Sequence, residues 1–428
     1  MIFPAPAKML LAVVFLTAAS VMAQKPVVPK PVAADPRAVH NSALVIDTHA
    51  DTPQRFLDEG FDIGTVTSTA DGHLDLEKAR AGNLGAEFFS IWVETDGYKD
   101  RRVHRTLAQI DSVYQQAARH PERMMMAYST DDILAARRQG KLAALMGIEG
   151  GHMIENDLRL LRMYYKLGAR YMTLTHSRTH DWADSSGDVD DANVKHHRGL
   201  TALGVEVVRE MNRLGMLVDI SHVSDRTFYK TLVVARAPII ASHSSARALT
   251  NHVRNMSDDM LRSISRNRGV VMVNFFSAFI DDKWRQAYAA QKPEREKAKA
   301  PLKEKYKGKD VPYVEEWKIE KHWAAKIPRP PLKSLIDHID HIAKVAGIDH
   351  VGLGSDFDGV PALPQEIDSV ADLPKITAEL LKRGYTPAQA HKILGGNFMR
   401  VFREAEHVAR ELQCEKPLGP GPLYAPEE

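Results

Sequence analysis

The feature that most constrains this chain is a rhythm of eight short apolar runs, separated by longer stretches of helical period. The runs cover 43–49, 86–93, 142–149, 171–176, 217–222, 238–243, 270–276 and 350–356. Between them lie amphipathic segments such as Val103 to Ala118, Asp157 to Leu167, Leu200 to Leu214 and Leu332 to Ala346. Strand-length runs alternating with helix-length ones imply right-handed crossovers and a parallel sheet. Eight of them predict an α/β fold closed into a (β/α)₈ TIM barrel. An open doubly wound sheet is the rival, and it lacks its Gly-rich phosphate turn after the first run.

The ends of the runs carry the chemistry. Six of the eight finish on a metal-ligating or acid–base residue: His49, Glu149, His176, His222, His243 and Asp356. In such a barrel the C-terminal strand ends surround one mouth, so these side chains converge on a single site. With 19 His in 428 residues, metal chemistry is a reasonable expectation.

His49-Ala50-Asp51 places an imidazole and a carboxylate two residues apart, on one side of a strand. Alone this is a weak signal, equally a strand-end His followed by a helix-capping Asp. Glu149 stands between Gly147-Ile148 and Gly150-Gly151, where backbone can crowd around a carboxylate that bridges two cations. Its plain reading is an acid at a helix N-terminus. His222 and His243 end neighbouring runs in similar settings, Asp219-Ile220-Ser221-His222 and Ile240-Ala241-Ser242-His243. Together these residues offer one cation His49, Asp51 and Glu149, and a second cation Glu149, His222 and His243. Oxygen and nitrogen donors of this kind suit Zn²⁺ best, two per chain, with Mn²⁺ or Co²⁺ as substitutes. A water shared by two cations loses a proton near neutral pH and becomes a nucleophile. Asp356, in Gly354-Ser355-Asp356-Phe357-Asp358-Gly359, fits a carboxylate that moves that proton. Asp358 reads as a turn residue. His180, His196 and His197 read as loop, His152 as a neighbour of the site without an assigned role, and Met124 to Met126 as packing.

These motifs, with Leu174-Thr175-His176-Ser177 and Ser242-His243-Ser244-Ser245, resemble the membrane (renal) dipeptidases of the metal-dependent hydrolase superfamily. The resemblance runs from about Ala43 to about Phe402. It implies a binuclear zinc peptidase that hydrolyses dipeptides, including those with a C-terminal D-residue, through a metal-bridging hydroxide. It also implies that His176 hydrogen-bonds the scissile carbonyl and that Arg254 binds the substrate's C-terminal carboxylate. Asp356 becomes the acid/base carboxylate, and Glu149 the shared ligand. On its own setting Arg254 reads as a surface salt-bridge residue. The family suggests a homodimer. The alternatives are another binuclear amidohydrolase on the same barrel, acting on lactones, β-lactams or cyclic amides, or a non-catalytic periplasmic binding protein. The usual amidohydrolase opening is His-x-His, where this chain has His49-Ala50-Asp51.

The remaining expectations concern organisation. Lys8, the apolar stretch Met9 to Ala19 and Val21-Met22-Ala23 read as a signal peptide over 1–23, cleaved before Gln24. A linker over 24–40 and a single barrel domain over 41–428 come after it. The single cysteine, Cys414, excludes an internal disulfide and reads as structural. The Pro417 to Glu428 tail has no apolar end for a lipid anchor. An export signal with one cysteine points to the bacterial periplasm. Lys and Arg, at 57, balance Asp and Glu, at 55, so nothing suggests nucleic acid or an anionic membrane. A charged insertion at about 281–331 is too long for a simple barrel connection. It is expected to contain helix and to be a solvated excursion, with a lid over the mouth as the sharper alternative.

Overall fold

The computed structural model describes residues 1–3, 5, 34–98, 100–307 and 309–414. The chain divides into two units, Met1–Ala33 and Ala34–Glu428, and the second contains the barrel and its site. The expected h-region and cleavage site, and the Pro417 to Glu428 tail, lie outside the described residues. Among those described, no helix is long and apolar enough to cross a membrane.

All eight runs form parallel strands: β1 (Val45–Ala50), β2 (Leu84–Ile91), β4 (Leu142–Glu149), β5 (Ala169–Thr173), β6 (Leu217–Asp219), β7 (Ile240–Ala241), β8 (Val270–Val273) and β9 (Val351–Leu353). They pair in the order β1-β2-β4-β5-β6-β7-β8-β9. Met124–Met126, expected only to fill packing space, forms an extra short strand, β3, paired in parallel to the start of β4. The barrel closes at its C-terminal end. There Ala50 bridges Phe357, Asp51 N donates to Phe357 O (2.8 Å), and Asp356 N donates to His49 O (3.0 Å). This is a nearly closed (β/α)₈ barrel, as the rhythm predicts.

Alternation along the strands sorts the core into two layers. Ile46, Phe88, Leu145, Tyr171, Ile240 and Met272 form one buried cluster with Phe398 and Phe402 of the last helix, Asn397–Cys414. Val45, Phe89, Ile91, Met146, Ile148 and Val271 face the surrounding helices in the other. The helix Leu332–Ala346 shows how the outer layer is met. Leu332, Leu335, Ile336, Ile339 and Ile342 recur at three- and four-residue steps and are buried. Each such side chain contributes roughly 1.5–3 kcal/mol on full burial.

Two regions differ from expectation. The ordered domain begins ahead of residue 41. Asp35 caps a helix at Pro36–Ser42, and His40 is buried with Nδ1 2.7 Å from Thr377 Oγ1 and Nε2 2.8 Å from Gly82 O. The 281–331 segment is largely exposed but is tied to the barrel at several points. It forms helices Asp282–Ala290, Lys292–Lys305 and Tyr313–Ala324; the first and third meet the barrel, and the second, buried only at Arg295, leans on them. Trp284, Ala324, Phe279 and Ala362 share an apolar cluster at its root. Trp317 packs edge-on against His73 at 5.8 Å, and Asp310 accepts from Tyr98 N at 2.8 Å. The segment therefore reaches from the end of β8 to the loop after β2.

Candidate active site

The strand ends deliver the expected residues to one place. Glu149, at the end of β4, is 4% exposed and presents its two oxygens to different partners. Oε2 lies 3.3 Å from His49 Nε2 and accepts from Ser90 Oγ at 2.8 Å. Oε1 lies 3.0 Å from His222 Nε2, 3.4 Å from His243 Nε2 and 3.6 Å from His176 Nε2. Asp51 Oδ2 is 3.5 Å from His49 Nε2. Three sets of donor atoms converge within 4.8 Å: His49, Glu149 and His243; Glu149, His176 and His222; His49, Asp51 and Asp356. All five residues expected as ligands are thus in one cluster, with Asp356 and His176 beside them.

The fit to divalent cations rests on the donors themselves. His49 Nε2 is buried with no hydrogen-bond partner. His222 Nε2 and His243 Nε2 sit 2.9 Å apart, both beside one carboxylate oxygen. Burial drives the His222 and His243 imidazoles well below their ordinary range, which keeps them neutral and able to ligate. Burial alone would raise the Glu149 carboxyl. The charge of His49, then the adjacent His222 and His243 imidazoles, instead bring it well below the usual carboxylate range. Burial would likewise lower His49, yet the fields of Tyr171 and Glu149 raise it. Burial, then the Glu149 charge, lifts Asp51 to about 7. A cluster that draws positive charge onto a buried imidazole and a proton onto Asp51 suits cations.

The surroundings fix these groups. Tyr171 O–H lies 2.8 Å from His49 Nδ1, leaving Nε2 for the cluster. The ring fits only because position 147 is glycine, where a Cβ would lie 1.9 Å from Tyr171 Cζ. Ser242 Oγ lies 2.8 Å from His243 Nδ1 and donates to Asp219 Oδ2 at 2.6 Å. Asp219 also accepts from Thr173 Oγ1 (2.6 Å) and from the amides of Ser221 (3.0 Å) and Ser242 (2.8 Å). Asp47 does the same at the β1–β9 seam of the barrel, accepting from Ser355 N at 2.7 Å. Asn274 Nδ2 donates to Asp356 Oδ2 at 2.8 Å. His222 and Asp356 have φ of 68° and 65°, so the chain turns sharply where each enters the mouth.

Sequence reasoning missed Tyr171, Ser90 and Asn274. Asn274 had a signal, being the polar residue near the end of the seventh run. Tyr171 and Ser90 are visible only once the register sets them beside His49 and Glu149. Asp358 does occupy a left-handed turn position (φ 62°), but it is also a buried anchor. It accepts from Thr52 Oγ1 and His73 N, each at 2.7 Å. His152 is buried beside Gly150, with Nε2 2.8 Å from Val93 O. His180 and His197 lie in the loop after β5, as expected.

Arg254 is not a surface residue. It is 9% exposed and packs over Phe279 at 5.3 Å. It donates to His243 O at 3.2 Å, and its Nε has no partner. Burial lowers it only to about 10, so it stays cationic. His176 is held at about 4 by burial, hence neutral, and packs against Trp92 at 5.1 Å.

The membrane dipeptidase model of peptidase family M19 matches residues 33–416. The chain belongs to the membrane dipeptidase family. A dipeptidase of Schizosaccharomyces pombe, itself named as uncharacterized, is 36% identical over 399 residues, covering 88% of this chain and 84% of that protein. The dipeptidase tcpJ of Claviceps purpurea is 35% identical over 346 residues, covering 79% and 70%. Among solved structures, the probable dipeptidase PvdM of Pseudomonas aeruginosa aligns with a TM-score of 0.75 at 27% identity, covering 87% of this chain and 98% of that one. A Rhodobacter sphaeroides metallopeptidase, liganded with a phosphinate mimic of L-Ala-D-Ala, shares the fold at TM-score 0.68 and 22% identity, covering 85% and 99%. Membership in the dipeptidase family makes the chain a hydrolase of small peptides in a metal-dependent class.

Proposed function

We propose that the chain hydrolyses dipeptides with free termini, including those with a C-terminal D-residue, as a binuclear zinc enzyme. The observation that carries this is Glu149, whose Oε2 lies by His49 and whose Oε1 lies by His222 and His243. His49, Asp51 and Glu149 would hold one ion, and Glu149, His222 and His243 the other. When bound, the pair supplies Lewis acidity and an activated water at neutral pH.

The chain's own groups do the rest. Neutral His176 offers an N–H to the oxygen on which charge develops as the peptide carbonyl is attacked. Asp356, raised by burial against the opposing charge of His49, is poised to hold a proton and pass it to the leaving amine. Asn274 occupies one of its oxygens and leaves the other free to act. Arg254, charged and with an unused Nε, takes the substrate's C-terminal carboxylate. Export through the 1–23 leader to a periplasm, and a dimeric state, belong to the same reading.

The test strips the mature chain with chelator and follows Ala-Ala and Ala-D-Ala cleavage during Zn²⁺ add-back. Activity returning as about two ions bind per chain supports the reading. Two bound ions without cleavage of any dipeptide would overturn it in favour of lactone or cyclic-amide hydrolysis.

A further inference from the structure

The insertion places one aromatic side chain against the reactive cluster. Tyr313, the first residue of the helix Tyr313–Ala324, donates its hydroxyl to Gly359 O at 2.7 Å. Gly359 lies directly on the cluster, since a Cβ there would be 2.0 Å from Asp51 Oδ2 and 2.3 Å from Asp356 Oδ1. The Tyr313 ring meets Trp92 at 5.4 Å, and Trp92 in turn packs on His176. Burial and the charges of Asp51, Asp356 and Glu149 hold the phenol well above its ordinary range, so it remains an O–H donor. Tyr313 therefore roofs the sector of the mouth between β9 and β2.

The strand order says what that sector faces. In the sequence β1-β2-β4-β5-β6-β7-β8-β9, closed through Ala50 and Phe357, β2 and β7 are four places apart in a ring of eight. They stand on opposite sides of the mouth. Trp92 follows β2, and Arg254 lies in the loop after β7. A dipeptide whose C-terminal carboxylate is held by Arg254 and whose carbonyl lies over Glu149 extends its N-terminal residue toward Trp92 and Tyr313. Two extended residues span at most about 7 Å, so little else can occupy that side.

We propose that Tyr313, supplied by the 281–331 insertion, is a specificity-determining residue that packs against the side chain of the substrate's N-terminal residue. It favours dipeptides whose N-terminal side chain is apolar. The proposal rests on the dipeptidase reading of the site. A charged N-terminal side chain would have to give up its water against the Tyr313 and Trp92 rings and is disfavoured. An apolar one gains contact with the two rings and loses water.

The test compares kcat/KM for Gly-Ala, Ala-Ala and Leu-Ala with that for Ala-Gly and Ala-Leu, in the zinc-loaded wild type, Tyr313→Ala and Tyr313→Phe. The same contrasts are read as dissociation constants of reduced-amide analogues of Gly-Ala and Leu-Ala by calorimetry. Tyr313→Ala should cut the Leu-Ala to Gly-Ala ratio about tenfold, the scale of one hydrophobic contact, and leave the Ala-Leu to Ala-Gly ratio in place. Tyr313→Phe, which keeps the ring, should restore the first ratio. Equal losses across both series, or a wild type indifferent to the N-terminal side chain, would overturn the proposal while leaving the dipeptidase reading intact. A loaded wild type that cleaves no dipeptide would instead overturn that reading.

Discussion

The floor of the site and its roof are built on opposite principles. The floor is made of strand ends whose polar side chains are almost fully buried and held by further buried polar groups. Examples are His49 by Tyr171, His243 by Ser242 and Asp219, and Asp356 by Asn274. The roof is a charged insertion that meets the barrel through an apolar cluster at its root and a few aromatic and polar contacts beyond. It is tied internally by ion pairs such as Lys299 Nζ to Glu320 Oε1 (2.6 Å) and Arg295 Nε to Glu320 Oε2 (2.8 Å). Buried networks are costly to break because an orphaned partner cannot find water. Paired charges near the surface contribute about 0–1 kcal/mol. The floor should therefore be rigid and intolerant, and the roof adjustable, which suits a part that selects substrates.

Acid should expose the difference most strongly. His338, 1% exposed, lies under the loop that carries Arg254, with Nδ1 accepting from Ala246 N at 3.0 Å. Burial lowers it from 6.5 to about 4. Its stabilising contribution is complete above the unfolded value of 6.5 and is lost as pH falls toward and through 4, because over that window the unfolded chain binds a proton that the folded one refuses. That amounts to about 3 kcal/mol at most. Urea midpoints measured from about pH 7 down to about pH 4 should fall, and His338→Gln should flatten the fall. An unchanged slope in the variant would remove His338 from the account.

The same contrast explains what the sequence makes legible. Strand ends follow a period of two within apolar runs, so His49, Glu149, His222, His243 and Asp356 announce themselves by position. What supports them does not. Tyr171 and Phe88 look alike in an apolar run, and only the register over Gly147 tells which one reaches a histidine. The sixth run is longer in sequence than in the sheet, since β7 keeps only Ile240–Ala241 and the chain bends away to present His243. Arg254 needs the family resemblance, because its burial comes from Phe279 and the fold around it. The roof is the least legible. A Lys- and Glu-rich segment says helix, and nothing local says that Tyr313 will lie against Gly359.

Within the floor, Tyr171→Phe isolates one supporting contact. The ring and its packing against Phe88 remain, and only the hydroxyl to His49 Nδ1 is lost. Partners of this kind are worth about 10–100-fold in metal affinity. If Zn²⁺ is the metal, as proposed above, its dissociation should accelerate by that factor, with the melting temperature of the chelator-treated protein little changed. Wild-type zinc affinity in the variant would mean that His49 is oriented by its strand alone.

The smallest effect should come from the roof. Glu320 accepts from the Tyr288 hydroxyl and pairs with both Arg295 and Lys299, at 19% side-chain exposure. Glu320→Gln keeps the shape and one acceptor but removes the charge that two cations share. Partial exposure lets water replace most of what is lost, so the cost should stay near about 1 kcal/mol. Because the root cluster of Trp284, Ala324 and Phe279 is untouched, the loss should stay local. Amide exchange should quicken across 282–324 while the barrel strands keep their protection. If the roof only selects substrate, KM for Leu-Ala should rise by no more than about fivefold, the factor that about 1 kcal/mol allows, with kcat unchanged. A fall in kcat in place of a rise in KM would erase the distinction. The insertion would then have to be counted as part of the catalytic floor.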